Sequence, residues 1–202
     1  MSVRAVQPSL LSHVAAKSSA ATFVRVAAVL FAAALVATAA QFTVPLPFTT
    51  VPFTLQPIAV LLTAAALGSR LGPAAQVAYL AAGIAGLPVW SASPLLPPGP
   101  ARLLGPTGGY LMAYPLAAFV TGWLAERRWD RRYVTSAIAM IAGLVVIYAG
   151  GVSWFAMSQS VGFGAAIAAA FVPFFLLDLA KIAVGAAVLP RFWQLLRSDP
   201  SA

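Results

Sequence analysis

Cysteine is absent from the 202 residues, so no disulfide and no thiolate metal site can form. Histidine occurs once, as His13, with no cluster of metal-binding side chains around it. Acidic residues number 4 against 12 basic ones, and charged residues of both signs make up only 8% of the chain. A soluble domain carries roughly 25%, so there is too little charge here to clothe a water-exposed core. Also missing are a phosphate-binding Gly-rich loop ending in Gly-Lys-Ser/Thr, a Ser/His/Asp set and a dinucleotide fingerprint. These absences argue against an enzyme, against an ATPase and against a resident cofactor or metal.

What fills the chain instead is apolar residues, 61% of the total, with a mean hydropathy of +0.93. Net charge is +8, a balance that can mark nucleic-acid binders. The charges here sit in short linkers between apolar runs, which is the pattern of membrane topology, so no nucleic acid is expected. The runs are continuous rather than alternating with a period of two, which excludes an outer-membrane barrel and leaves helices. The reading is an all-α, multi-pass protein of the cell membrane with six transmembrane helices, over 23–41, 57–68, 73–87, 107–125, 134–151 and 173–190. The second and third runs are short for a bilayer that asks for about 20 residues. Pro173 divides the last apolar region and is placed in the first turn of the final span, with a surface turn or helix at 165–170 before it. The first run follows Lys17 and Arg25 without a clean cleavage site and is read as a retained span rather than a signal peptide.

Six spans place both ends of the chain on one side. Ten of the 12 basic residues fall on that side, all but Arg102 and Lys181. Cytoplasmic loops carry the Lys/Arg excess, so both termini are expected in the cytoplasm, as an N-terminal tail (1–22), a membrane domain (23–190) and a C-terminal tail (191–202). The run Glu126-Arg-Arg-Trp-Asp-Arg-Arg132 reads as an anchor that also suits lipid phosphates or a partner subunit. Three segments then face outward, 42–56, 88–106 and 152–164. The first two are rich in proline and apolar, stiff enough to act as a cap or as a lid over an apolar-walled pocket.

Within the spans the outstanding residues are Asp178 and Lys181. Charge inside a bilayer costs about 3 kcal/mol per residue and is a functional hypothesis by default. Spacing of i, i+3 puts both on one helix face, in the outer part of the sixth span. They form either a structural ion pair or the polar floor of a solute pocket. Arg102 precedes Gly105-Pro-Thr-Gly-Gly-Tyr110, where Thr107 is a plausible N-cap and the helix start can receive an anion. Gly108 and Gly109 suit close helix packing. Gln76 and Tyr79 share a face of the third span, and Gln56 and Tyr110 are further polar groups at membrane depth; Tyr110 and Tyr114 share a face as well. In the first span, Ala28/Ala32 and Ala33/Ala37 form small-xxx-small pairs that let another helix approach closely, in the bundle or in a partner.

Four motifs in order, Pro45-Leu-Pro-Phe48 with Val51-Pro-Phe-Thr-Leu-Gln56, Gly83-Ile-Ala-Gly-Leu-Pro-Val89, Leu104-Gly-Pro-Thr-Gly-Gly-Tyr-Leu111, and Pro173-Phe174 with Asp178-Leu-Ala-Lys181, give the chain its resemblance to the biotin-specific substrate-capture (S) components of energy-coupling factor (ECF) transporters, over about residues 25–190. The resemblance implies a six-helix protein that takes biotin from outside and delivers it with one transmembrane scaffold subunit and two ATP-binding subunits. It places the family's binding residues on Asp178 and Lys181 and its basic loop residue on Arg102. Phe53 and Trp90 would cover the ligand's apolar middle, and the alanine pairs of the first span would meet the scaffold. The chain departs from the family in the segment 91–100, rich in proline where glycine is usual, and at Leu177. Outside the resemblance, a stand-alone secondary transporter for a small carboxylated solute is the alternative.

Overall fold

The computed structural model describes residue 9, residues 20–93 and residues 96–198. His13, Arg4, Lys17 and most of the N-terminal tail lie outside the described residues. Seven helices are described: α1 (Ala21–Gln41), α2 (Gln56–Ile84), α3 (Gly108–Ala125), α4 (Tyr133–Ser158), α5 (Phe163–Ala170), α6 (Val172–Gly185) and α7 (Val188–Ser198). Among the described residues, four stretches are long and apolar enough to cross a bilayer: Ala21–Gln41, Gln56–Ile84, Tyr133–Ser158 and Val172–Leu195, the last running through the α6–α7 break.

Helix α2, 29 residues long, is not one rod. Gly68 has φ 85° and ψ −177°, a left-handed excursion that breaks the helix and that favours glycine. The chain doubles back there. Gln56 Nε2 donates to Tyr79 Oη at 2.5 Å, although the two residues are 23 apart and would sit about 34 Å apart in a straight helix at ~1.5 Å per residue. A Cβ added to Gly72 would lie 3.1 Å from the Cα of Ala64. The expected division into runs 57–68 and 73–87 is therefore visible as two antiparallel arms, with Pro73 in the opening turns of the second. Glu126, just past α3, fastens the bend: Oε1 accepts from the Ser69 N–H and Oε2 from the Ser69 hydroxyl, both at 2.8 Å. Gly122 of α3 presses on the backbone of Gly68 itself.

The core lies where the α2 hairpin, α3 and α4 meet, around Val60, Leu61, Tyr79, Ala117, Met140 and Ile147. Helix α1 packs on the outside of the hairpin. Ala28 and Ala32 lie against Leu67, Leu71 and Ala75, and Ala33 and Ala37 lean on the main core. Ala32 is only 1% exposed and serves packing within the chain, whereas Ala28, Ala33 and Ala37 are half-buried. Gly109 meets Trp154 and Gly150 of α4, and Gly108 meets the Leu103 carbonyl; close packing is the role of both.

Three boundaries differ from the sequence reading. Helix α4 continues through Ser158, seven residues beyond Gly151, because nothing in that stretch breaks a helix, which shortens the expected outer segment 152–164. The chain is helical again after Gly185, through Ser198, so the expected tail opens as a helix; Pro190 falls in its first turn, where proline is tolerated. Helices are also not the whole of it: β1 (Thr43–Val44) and β2 (Phe53–Thr54) pair antiparallel, Thr43 with Thr54 and Val44 with Phe53, folding the first Pro-rich loop into a small ribbon.

Candidate binding cavity

Helix α6 begins after a break at Phe171 (φ −125°, ψ −56°), with Pro173 in its first turn. That start directs Phe174 and Asp178, four residues apart, into the bundle, where both are buried. Asp178 is fully engaged. Its Oδ1 accepts from Lys181 Nζ at 2.6 Å and its Oδ2 from the Tyr148 hydroxyl of α4 at 2.5 Å. Lys181 Nζ also donates to the Thr54 carbonyl at 2.6 Å and stands 3.7 Å from the Phe53 ring centroid. The ribbon and α6 are thus joined through one ammonium group.

Opposite is the second loop. A 3₁₀ turn, Gly99–Leu103, brings in Arg102, which is 4% exposed. Its Nη2 donates to the Ser91 carbonyl at 2.6 Å, while Nε and Nη1 are buried with no partner. Burial lowers the affinity of this guanidinium for its proton below the usual arginine value, with Tyr79 partly offsetting it. Trp90 is held by a bond from its indole N–H to the Gly99 carbonyl at 2.9 Å and meets Tyr79 edge to face at 5.2 Å. It lies so close to α2 that a Cβ on Gly83 would come within 2.0 Å of its ring. Gln41, the last residue of α1, donates to the Trp90 carbonyl at 3.2 Å.

Between these groups is a cavity of about 610 Å³, counting the space open to solvent. Of the residues singled out by sequence, Asp178, Lys181, Arg102, Phe53, Trp90 and Tyr110 line it. Tyr79 and Gln76 do not. Tyr79 stands behind the wall, accepting from Gln56 and donating to the Val89 carbonyl at 3.2 Å, so it positions both loops. Gln76 is fully buried elsewhere in the core with neither amide atom partnered. Thr107 lines the cavity but makes no side-chain cap to α3. Tyr148, Phe174, Ile147 and Tyr114 complete the wall. Tyr148 was not singled out by sequence, since a single tyrosine in an apolar run carries no pattern. Its partner is 30 residues away; only the rule that a buried carboxylate must be satisfied could have asked for such a donor.

The lining sets two polar groupings, the Asp178–Lys181–Tyr148 cluster and Arg102, among aromatic and aliphatic side chains. Such a cavity suits a small, elongated, mostly apolar solute with a polar head and an anionic tail.

The BioY family profile matches residues 13–198. The chain is 39% identical over 153 residues to "Biotin transporter BioY" of Thermotoga maritima, covering 75% of this chain and 86% of that protein. It is 37% identical over 171 residues to the protein of the same description in Rhizobium etli, with 80% and 88% covered. Its fold is similar to the crystal structure of the S-component for biotin from an ECF-type ABC transporter, with a TM-score of 0.77 at 21% identity, covering 88% of this chain and 94% of that chain. By the extent of these matches, the chain belongs to the BioY family.

Proposed function

We propose that this chain captures biotin at the outer face of the cell membrane and passes it inward as the substrate-binding S component of an ECF transporter. The observation that carries the reading is the cavity itself, with a satisfied Asp178–Lys181–Tyr148 cluster facing a buried arginine that has donors to spare. Biotin has matching chemistry: a ureido head, a thioether ring and aliphatic chain, and a terminal carboxylate. Arg102 is assigned the carboxylate, because its Nε and Nη1 have no acceptor in the protein, whereas Lys181 Nζ already has two. Asp178 and Tyr148 then face the ureido group, and Phe53, Trp90 and Phe174 cover the middle. The relatives named biotin transporters support the same solute.

The rest of the reading follows from the membrane. The two arms of α2 count as two spans, and with α1, α3, α4 and α6 make six, both termini in the cytoplasm. No ATP-binding loop occurs in the sequence, so the energy for delivery comes from two ATP-binding subunits acting through a transmembrane scaffold subunit. Helix α1 is the natural contact for that scaffold, since Phe23, Leu30 and Phe31 are 74%, 60% and 69% exposed. The contact lies on this outer face, with Ala28, Ala33 and Ala37 at its half-buried margin and Ala32 turned away.

Calorimetric titration of biotin into the purified full chain in detergent tests the site. Wild type binds. The double variant Asp178→Leu, Lys181→Met removes both charges together, so neither is left buried alone, and should bind at least ten-fold more weakly, the loss expected of one charge-assisted bond at about 1.5–3 kcal/mol. Unchanged affinity in a monodisperse double variant would make the pair a structural bridge only.

A further inference from the structure

At the end of the bundle away from the cavity, α7 packs against the end of α3 and the α3–α4 linker. Leu189 packs against Ala65 and Ala125. Four residues on, buried Trp193 donates from its indole N–H to Asp130 Oδ2 at 2.5 Å, with the Arg131 guanidinium stacked 3.2 Å over its ring. That face of α7 is fixed to the protein. A second face is open to the surroundings: Val188, Phe192 and Leu195, at i, i+4 and i+7, are 37%, 52% and 67% exposed. This is an apolar stripe on a helix already packed along its neighbouring face.

Beside the stripe the surface is cationic. Arg70, Arg128, Arg132 and Arg191 are exposed, and among the described residues none has a carboxylate within ion-pair distance. Among the described residues, the two carboxylates at this end are committed elsewhere, Glu126 to the Ser69 bend and Asp130 to Trp193 and Arg131. An apolar stripe next to arginines without a carboxylate partner, on a helix at the end of a membrane bundle, has the chemistry of an interfacial anchor.

We propose that α7 and the α3–α4 linker form a docking surface for acidic phospholipids, with the headgroup phosphates on Arg128, Arg132 and Arg191 and the acyl chains against Val188, Phe192 and Leu195. The charge complementarity selects the occupant, since a zwitterionic headgroup offers these arginines no net charge. The surface is separate from the biotin cavity and does not depend on it.

The test is native mass spectrometry of the full chain in detergent, titrated with phosphatidylglycerol and with phosphatidylcholine. Wild type should retain phosphatidylglycerol several-fold more strongly, and the preference should shrink as salt is raised. Replacing Arg128, Arg132 and Arg191 by glutamine should weaken phosphatidylglycerol by about five-fold per arginine and leave phosphatidylcholine unchanged. Phe192→Ser with Leu195→Ser should weaken both lipids alike. Equal retention of the two lipids by wild type, or a preference indifferent to salt, overturns the proposal without any variant having to fold. So does a well-folded triple variant that keeps the preference; if that variant also fails to co-purify with the ATP-binding subunits, the surface is a protein interface instead. Biotin titration of the same samples reports separately on the cavity.

Discussion

Asp178 and Arg102 illustrate two different fates of buried charge. Asp178 is partnered at both oxygens, by Lys181 on one and Tyr148 on the other, with acceptor capacity left for a ligand N–H. Tyr148→Phe should leave Oδ2 without its donor and cost about 1–3 kcal/mol of stability, read as a lower melting temperature in detergent, with biotin restoring part of the loss by binding the folded state. Arg102 is anchored through Nη2 alone, so its free donors are where a ligand anion gains most. Arg102→Gln should weaken biotin about 10- to 150-fold, the worth of a charge-assisted bond. The same variant should bind biotinol, in which an alcohol replaces the carboxylate, about as well as wild type does. If biotinol and biotin lose affinity equally, Arg102 shapes the loop and does not receive the carboxylate.

Among the elements, the α2 hairpin and the Trp90 cover set the cavity's frame, and both turn on the absence of a side chain. At Gly68 an added methyl group would meet Glu126 Oε1 at 2.5 Å on a backbone with φ 85°. Gly68→Ala should therefore destabilise by more than the ~1–2 kcal/mol that left-handed backbone alone costs, seen as a fall in melting temperature; an unaltered melt would mean the bend is not held as described. At Gly83 the methyl group would displace Trp90. Loss of its contact with Tyr79, worth about 0.5–1.5 kcal/mol, should speed biotin dissociation about 2- to 12-fold while the bundle stays folded. Much of this frame was legible in the sequence: the two short runs either side of Gly68, Pro173 opening α6, and the charged pair at i, i+3. These are local signals, carried by a proline, a glycine or a charge where apolar residues surround it. What was not legible depends on contacts between distant segments. The extension of α4 to Ser158 lacks a stop signal, and Tyr148 acquires its role only from α6. Gln76 shows the converse, a polar residue in an apolar span that reads as a ligand contact yet is packed in the core away from the cavity.

For the whole molecule, the decisive question is which end of the bundle faces the cytoplasm. The cavity, the Pro-rich loops and the ribbon lie at one end. The Ser69–Glu126 clasp, the α3–α4 linker and α7 lie at the other, with exposed Arg70, Arg127, Arg128, Arg132 and Arg191. Among the described residues, the basic ones at the cavity end are Arg102 and Lys181, both turned inward and bonded to protein carbonyls, so they add little to the surface charge that sets orientation. The asymmetry of exposed charge is thus sharper than the sequence count of ten against two, and by the positive-inside rule it supports the proposed orientation, with the cavity outside. Because the chain has no native cysteine, single-cysteine variants report orientation without background. Ala92→Cys, beside Ser91 in the outer loop, should react with a membrane-impermeant maleimide in intact cells. Ser160→Cys, in the turn after α4, should do the same, whereas Arg128→Cys should react only after the membrane is opened. Labelling of Arg128→Cys in intact cells, with Ala92→Cys protected, would invert the molecule and remove the case for capture from outside. The same orientation bears on the scaffold contact. Ala34, exposed on α1, is small enough to let another helix approach closely. Ala34→Trp should reduce recovery of the scaffold subunit in co-purification while biotin affinity is unchanged, because that face of α1 makes no part of the cavity. Full recovery with this variant would leave α1 facing lipid and send the search for the scaffold contact to another helix.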